Sequence, residues 1–342
     1  MVTRKDVALK AGVSPSTVSR VINNNGYVAM EVRKRIEAAI AELNYIPNRA
    51  AQNLRMKSYK QIACISPSIN NSFFAEMFMG IEEMAIEVGY SLSLYNITKK
   101  KPDFLKQVVE GPYDGLILLA SHELIMIKDI LENIKKMPLS IYWDRIDKLN
   151  IPLKAEIPHV YVDLKKVMRQ SVNHLITNGH KEILFLGHYY QKEKSSNPRY
   201  KGYEMAMKEH NLEIKEYYRI FVEMYEDKLT TGYEAIKMLL DKGQYFTAVA
   251  ASNDLLAAGA IRAIIESGKK VPEDISVIGV DNIELAKIVT PTLTTMNIPK
   301  REIGKMLVQQ LMDQIQNENT IEKSIEVEVM LKERESVKKL MI

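Results

Sequence analysis

The most constraining feature of this 342-residue sequence is a series of short apolar segments that begins at residue 61 and recurs up to residue 282. Apolar strands that alternate with amphipathic helices are typical of parallel sheets, with helices on both faces and right-handed crossovers. Nine strands are too many for one sheet of this length, so the sequence predicts two doubly wound parallel-sheet subdomains that divide near Asp163. The nine segments are QIACISP, SLSLYN, GLILLA, LSIYW, HVYVD, EILFLGH, RIFVEM, TAVAASN and SVIGVDN.

The predicted α/β core spans residues 61–342. A strand and a helix from residue 294 onward are expected to cross back between the two subdomains. The first subdomain is therefore predicted to cover about 61–162 and 294–320, and the second about 163–293 and 321–342.

The preceding residues, 1–47, predict a small all-α domain. Thr3 can cap a first helix that ends at Gly12, and Ser14 with Pro15 supplies the cap and first turn of a second helix. Two short helices joined by a three-residue turn form a helix-turn-helix motif. A third helix closes the small core with one apolar face, formed by Val32, Ile36, Ala39, Ile40 and Leu43.

The positive charge of the chain is concentrated in this amino-terminal part. Residues 1–60 carry a net charge of +7 and the rest of the chain carries −3. A basic module attached to a nearly neutral body predicts a partner that is a polyanion. In a helix-turn-helix motif the second helix enters the major groove of DNA by its amino-terminal end. The residues predicted to contact DNA there are Pro15, Ser16, Thr17 and Arg20.

Three long motifs resemble the lactose repressor/galactose repressor family of bacterial transcription regulators. They are KDVALKAGVSPSTVSRVINN, AELNYIPNRAAQNL and SNDLLAAGAIRAIIESGKKVPEDISVIGVDN. The resemblance implies a DNA-binding headpiece, a hinge helix, and a core similar to the periplasmic sugar-binding fold. Such a core dimerises and binds a small effector between its subdomains. The predicted function is therefore a repressor of a carbohydrate-utilisation operon, acting as a homodimer on a palindromic double-stranded DNA operator.

The segment NRAAQNLRMKS lies where the resemblance places the hinge, and residues 48–60 are predicted to be hinge helix and linker. A helix of about ten residues is marginal in water by itself, so its ordering is expected to depend on DNA and on the partner hinge. Leu54 is predicted to insert as an apolar wedge into the minor groove, as the matching leucine does in the family. The DNA contacts predicted in this segment are Asn48, Arg49, Ala51, Leu54 and Arg55.

The effector site is predicted beyond the carboxyl ends of the strands, where doubly wound sheets bind ligands. Aromatic side chains follow the first strand, polar side chains end three others, and the resemblance adds an arginine that reaches into the cleft. For each carboxylate, capping of the following helix is the structural alternative. The predicted residues are Phe73, Phe74, Asp163, Arg199, Asn253, Asp254 and Asp281.

The sequence predicts neither catalysis nor a cofactor. It contains no P-loop, GxGxxG, HExxH or GxSxG motif. His174, His180 and His188 are not expected to share a face, so no metal site is predicted. A run of 18 apolar residues is absent and the first residues are charged, which predicts a soluble cytoplasmic protein without a membrane partner.

Two other functions stay open at this stage. A regulator that uses a purine or a phosphorylated metabolite as corepressor would have the same architecture. A solute-binding module for transport or sensing would explain residues 61–342 but not the headpiece. The identity and direction of the effector, the operator sequence and the choice between repressor and activator do not follow from the sequence.

Overall fold

The computed structural model describes eight stretches of the chain, and these form two compact units, Met1–Tyr59 and Lys60–Ile342. Among the described residues, no helix is long and apolar enough to cross a membrane. The described stretches are 2–45, 58–96, 107–120, 137–143, 158–188, 197–223, 228–316 and 322–340.

The first unit contains the three predicted helices: α1 (Arg4–Ala11), α2 (Pro15–Ile22) and α3 (Met30–Glu42). Gly12 ends α1 in the left-handed conformation, with φ of 65°, which glycine adopts at little cost. The Ser14 hydroxyl accepts a hydrogen bond from the Thr17 N–H (3.2 Å) and so caps α2. The predicted helix-turn-helix is therefore confirmed.

One apolar cluster holds these three helices together. Val7 and Ala8 of α1 contact Val18 and Val21 of α2, and all four side chains are buried. On α3, Ile36 and Ala39 are buried, while Val32, Ile40 and Leu43 pack against the cluster as partly buried side chains. The predicted inward face of the third helix is confirmed.

The second unit contains two six-stranded sheets in the part of the chain that the structure describes. The first has the strand order β11-β5-β4-β3-β1-β2 and the second the order β12-β10-β9-β8-β6-β7. All pairings are parallel except that of β10 with β12. The strands are β1 (Gln61–Ser66), β2 (Ser91–Asn96), β3 (Gly115–Ala120), β4 (Leu139–Trp143), β5 (His159–Tyr161), β6 (Ile183–His188), β7 (Arg219–Val222), β8 (Ala248–Ala251), β9 (Ser276–Asp281), β10 (Thr294–Asn297), β11 (Ser324–Glu326) and β12 (Met330–Lys332).

Helices connect and cover these sheets. They are α4 (Ser72–Glu87), α5 (Leu164–Thr177), α6 (Pro198–Glu209), α7 (Lys228–Asp241), α8 (Asp254–Glu266), α9 (Leu285–Ile288) and α10 (Lys300–Ile315), with a 3₁₀ turn at Glu216–Tyr218. The predicted fold class, with two parallel-sheet subdomains, is confirmed.

The last crossings between the sheets differ from the predicted boundaries. The segment predicted to return to the first sheet at residue 294 instead forms β10, which pairs with β9 in the second sheet. The chain returns only with α10, whose Gln310 accepts a hydrogen bond from the Ser140 hydroxyl (2.8 Å) in β4. Residues 321–342 are also divided, because β11 pairs with β5 in the first sheet and β12 with β10 in the second.

Close helix contacts stiffen each half of this core. A Cβ atom on Gly80 of α4 would lie 2.0 Å from the carbonyl oxygen of Arg301, and one on Gly304 of α10 would lie 2.2 Å from that of Met77. In the other half, a Cβ on Gly259 of α8 would lie 2.2 Å from the Leu229 carbonyl oxygen. The backbones of α4 and α10, and of α7 and α8, therefore touch directly.

Candidate nucleic-acid interface and effector site

The amino-terminal end of α2 presents the predicted DNA-contacting side chains. Pro15, Ser16 and Arg20 are exposed and Thr17 is half-buried. The Ser14 hydroxyl lies 2.7 Å from the Ser16 hydroxyl and 2.8 Å from that of Thr17. These hydroxyls fix the first turn of α2, so its outward face is presented in one conformation.

A further hydrogen bond fixes the angle between the first two helices. Arg4 Nη1 donates to the Ser19 hydroxyl (3.3 Å), which ties α1 to α2 across the turn. Lys10 is paired with Glu42, whereas Lys5, Lys34 and other basic side chains are exposed. Several exposed cations on the same small unit as α2 suit contact with DNA phosphates.

The five residues predicted to contact DNA from the hinge belong to a separate segment of the chain. Asn48, Arg49, Ala51, Leu54 and Arg55 lie outside the described residues. Their contacts with DNA stay a prediction.

Two phenylalanines stand at the carboxyl end of the first sheet. Phe73 and Phe74 lie in the first turn of α4, with their ring centroids 5.3 Å apart at 85°. Phe73 is buried and packs on Tyr142, with ring centroids 5.9 Å apart, so it belongs to the core. Phe74 is half-buried, which leaves its ring as the one of the two that can cover a ligand.

A network of amides and one imidazole joins strand ends of the second sheet to two helices. Asn197 caps α6, and its side chain donates to the His188 carbonyl oxygen at the end of β6 (2.5 Å). Asn253 caps α8 through the Leu256 N–H and donates to His188 Nε2 (3.0 Å). Arg199 lies in the first turn of α6 and is half-buried. The structure therefore brings Arg199 and Asn253 to neighbouring helix starts.

Asp254 does not lie where the effector prediction placed it. Its side chain is completely buried. One carboxylate oxygen accepts from the Thr295 hydroxyl (2.5 Å) and the other from the Ile283 N–H (2.9 Å). Both oxygens are thus used to join α8 to β10 and to the segment after β9. We correct the prediction: Asp254 is a structural tie and not a cleft-lining residue.

Asp163 is also used by the fold. It caps α5, and one of its carboxylate oxygens accepts from the N–H groups of Lys165 and Lys166, both at 3.0 Å. The capping alternative therefore accounts for one of its carboxylate oxygens, and no contact in the described part of the core joins Asp163 to the other predicted effector residues.

Asp281 remains as the carboxylate that a ligand can approach. It ends β9, is half-buried and has φ of 114°, and Asn282 after it has φ of 54°. Positive φ is costly for residues other than glycine and is kept where the surroundings impose it. Here Arg334 Nη2 donates to the Asn282 side-chain oxygen (2.7 Å), and Asn282 donates to that of Asn297 (2.8 Å). Hydrogen bonds from Arg334 and to Asn297 therefore hold the turn that orients the Asp281 side chain.

Three residues near these strand ends were not predicted. Trp143 ends β4 and His188 ends β6, so the rule that selected Asp281 would have found both. Lys300 is 3% exposed and contacts the Asp281 turn. The sequence gives no signal for Lys300, because a lysine at the start of a helix is usually solvated.

Comparison with known proteins agrees with both units. Residues 3–48 match the family described as bacterial regulatory proteins, lacI family, and residues 172–337 match the periplasmic binding protein-like domain. A relative from Mannheimia succiniciproducens, an HTH-type transcriptional repressor PurR, is 34% identical and aligns over 99% of this chain and all of its own length.

The chain belongs to the LacI family.

Solved LacI-family structures share the fold over almost the whole length. The lac repressor dimer bound to operator and the anti-inducer ONPF has a TM-score of 0.84 and 27% identity, with 98% of this chain and 99% of that chain covered. The complex of the transcriptional regulator CelR with cellobiose has a TM-score of 0.70 and 27% identity, with 98% and 100% covered. LacI-family proteins are DNA-binding transcription regulators and not enzymes, so this chain is a DNA-binding regulator with an effector-binding core.

Replacement of Arg20 by alanine is expected to weaken operator binding by about 1 to 3 kcal/mol, because a bidentate arginine–guanine contact contributes that much discrimination. The measurement is anisotropy of a labelled operator and of a scrambled duplex. Lys10→Ala is the matched control, since Lys10 lies on α1 and is paired with Glu42 of α3. Arg20→Ala should lower the ratio of the two affinities and Lys10→Ala should leave it unchanged. If the ratio of operator affinity to scrambled-duplex affinity is the same in both variants, Arg20 does not take part in base recognition.

Proposed function

We propose that this LacI-family protein is a cytoplasmic repressor of a carbohydrate-utilisation operon. It acts as a homodimer on a palindromic operator and is controlled by a small effector bound between the two halves of its core. The observation that carries the proposal is the combination in one chain of a basic helix-turn-helix unit with two parallel sheets whose strands end in aromatic and polar side chains. A transport or sensing module needs only the second of these units.

The hinge is part of the proposal. Residues 48–60 would order on DNA, with Leu54 as the minor-groove wedge at the operator centre. The family resemblance of this segment supports that role. An effector that changes the core could then release the operator without altering α2.

A sugar is the effector class that the described side chains support best. Sugar rings have an apolar face and paired hydroxyls. Phe74 offers an aromatic face, Asp281 an acceptor, and Arg199 a planar set of donors. The CelR–cellobiose complex, which shares this fold, supports the same class.

A purine is the second candidate. The full-length similarity to a repressor named PurR favours it, and a planar base can stack on Phe74 as well as a sugar can. In that case the ligand would act as a corepressor.

A thermal-shift panel separates these effectors. We expect one class among sugars (ribose, cellobiose), sugar phosphates and purines (hypoxanthine, guanine) to raise the melting temperature, because a ligand that binds the folded state stabilises it. The single tryptophan, Trp143, lies at the carboxyl end of β4, so its fluorescence gives an independent titration of the same compound. A panel without any shift from the three classes would contradict the effector assignment.

Asp281→Ala is expected to weaken binding of the selected compound by about 1.5 to 3 kcal/mol, since it removes a charged hydrogen-bond partner. This corresponds to roughly ten- to a hundredfold in affinity. Asp163→Ala is the matched control at another strand end: it should lower thermal stability through the lost helix cap and keep the affinity. Equal loss of affinity in the two variants would contradict the separate roles given to these carboxylates.

A further inference from the structure

Lys300 is a buried cation that the proposed effector site does not explain. It is the first residue of α10, and its side chain is 2% exposed. Burying a charged ammonium group is expensive unless hydrogen bonds and an opposite charge compensate it. Its partners therefore indicate what the residue does.

The Lys300 ammonium group has three hydrogen-bond donors and contacts three carbonyl oxygens. These belong to Asp281 (2.6 Å), Asn282 (3.1 Å) and Ile298 (3.3 Å). A lysine ammonium has three donors and no acceptor, so these three carbonyl oxygens, which we call the carbonyl cage, can accept all of its hydrogen bonds. Two of the three carbonyls belong to the positive-φ turn that aims the Asp281 side chain.

The same ammonium group also forms an ion pair with a carboxylate of the first half of the core, the half opposite the Asp281 turn. Glu76 Oε2 lies 3.4 Å from Lys300 Nζ. Glu76 is on α4, three residues after Phe73, and α4 packs on α10 by direct backbone contact at Gly80 and Gly304. Lys300 is thus anchored in the α4–α10 layer of the first sheet while it holds a turn of the second sheet.

Two neighbouring cations of α10 also pair with α4, but they do so at the exposed surface. Arg301 and Lys305 of α10 both contact Glu83 of α4, at 3.0 and 3.1 Å, and their side chains are about half exposed. Exposed pairs of this kind contribute little. Lys305 is therefore a control that shares the helix, the charge and the partner helix with Lys300 but lacks the carbonyl cage.

We propose that Lys300 is a positioning residue that couples the Asp281 turn to α4, so that a ligand bound at Asp281 changes the position of the helix that carries Phe73 and Phe74. This inference rests on the proposed function, because it gives the regulatory route of that same site. Without the ammonium group, the Asp281 turn and α4 lose the contacts that connect them through Lys300.

The test is hydrogen exchange of the full-length protein without ligand, followed by mass spectrometry. Lys300→Met keeps the length of the side chain and removes the charge. Exchange should become roughly ten- to a hundredfold faster in peptides covering 281–286, and also faster in those covering 73–79, because three hydrogen bonds from a charged group are lost. Lys305→Met should leave both regions unchanged.

Glu76→Gln completes a double-mutant cycle. Glu76 is on the first half, so faster exchange at 281–286 in this variant reports transmission across the core. The change should be smaller in the Lys300→Met background than in the wild type, because coupled residues are not additive. Additive effects, or a change at 281–286 without one at 73–79 in Lys300→Met, would overturn the proposal.

Two outcomes separate this inference from the proposed function. If Lys300→Met does not fold, Glu76→Gln alone decides, and unchanged exchange at 281–286 overturns the coupling. If the panel of sugars and purines shows no binding while exchange changes as expected, the effector assignment fails and the coupling holds.

Discussion

Removal of residues 1–59 is expected to abolish operator binding and to leave a folded core. The deleted unit has its own apolar cluster and carries a net charge of +6, whereas the remaining residues carry −2. The remaining unit, Lys60–Ile342, keeps both sheets and their helices. The measurement is anisotropy of labelled operator with the intact and the shortened protein, together with the melting curve of each.

The salt dependence of the intact protein provides the internal control. If each headpiece of a dimer contacts about three phosphates, the slope of log K against log salt should be near −5, since each neutralised phosphate contributes about −0.9. The shortened protein should show no such slope and should still respond to the effector selected by thermal shift. Sequence-specific binding by the shortened protein would contradict the assignment of DNA recognition to the first unit.

Asp254→Ala is expected to lower the free energy of unfolding of the core by about 2 to 6 kcal/mol, the sum for two unsatisfied groups. The change leaves the Thr295 hydroxyl and the Ile283 N–H without their acceptor inside the protein, and each unsatisfied buried group costs about 1 to 3 kcal/mol. Urea unfolding measures this loss. Asp254→Asn is the matched control, because the amide has the same shape and keeps an acceptor for Ile283. A similar loss in both variants would mean that the hydrogen bonds are not the cause.

The same residue predicts a pH dependence. Burial, and next the negative charge of Asp281, raise the pKa of Asp254 from 3.8 to about 8. Between these two values the unfolded chain has lost the proton and the folded chain keeps it, so the free energy of unfolding falls as pH rises. The contribution is complete below about pH 4 and is lost by about pH 8. Asp254→Asn lacks this titration, so it should gain stability relative to the wild type from pH 5 to pH 8; a constant difference would contradict a protonated Asp254.

Local sequence patterns were sufficient to predict where helices and strands lie along the chain. They were not sufficient to predict which of the two sheets a strand joins. The apolar segments of β1 to β9 and the caps of α1 and α2 depend on residues close in sequence, and the structure has them where they were predicted. TTMN at 294–297 is an equally clear strand, but its sheet is decided by pairing with β9. That choice depends on tertiary packing, which the pattern does not contain.

The effector residues show the same limit. Asp163 and Asp254 follow strands and Asp281 ends one, so sequence position alone made the three carboxylates equivalent. Their roles differ because of distant partners: Thr295, 41 residues away, engages Asp254, and Lys300, 19 residues away, holds the turn of Asp281. The sequence can thus predict that a ligand site lies at the strand ends. It cannot predict the distant partners that decide which of these side chains faces the ligand.

The number of chain crossings has a consequence for how such regulators diversify. The headpiece is joined to the core by one continuous stretch of chain, so a single recombination breakpoint in the gene can exchange the DNA reader and keep the ligand receptor. The two halves of the core are interleaved by three crossings, near residues 162, 298 and 327. Exchange of one half would need three simultaneous breakpoints and a compatible partner for Lys300. New pairings of operator and signal should therefore arise by exchange of headpieces, and new ligand preferences by point substitutions within an inherited core.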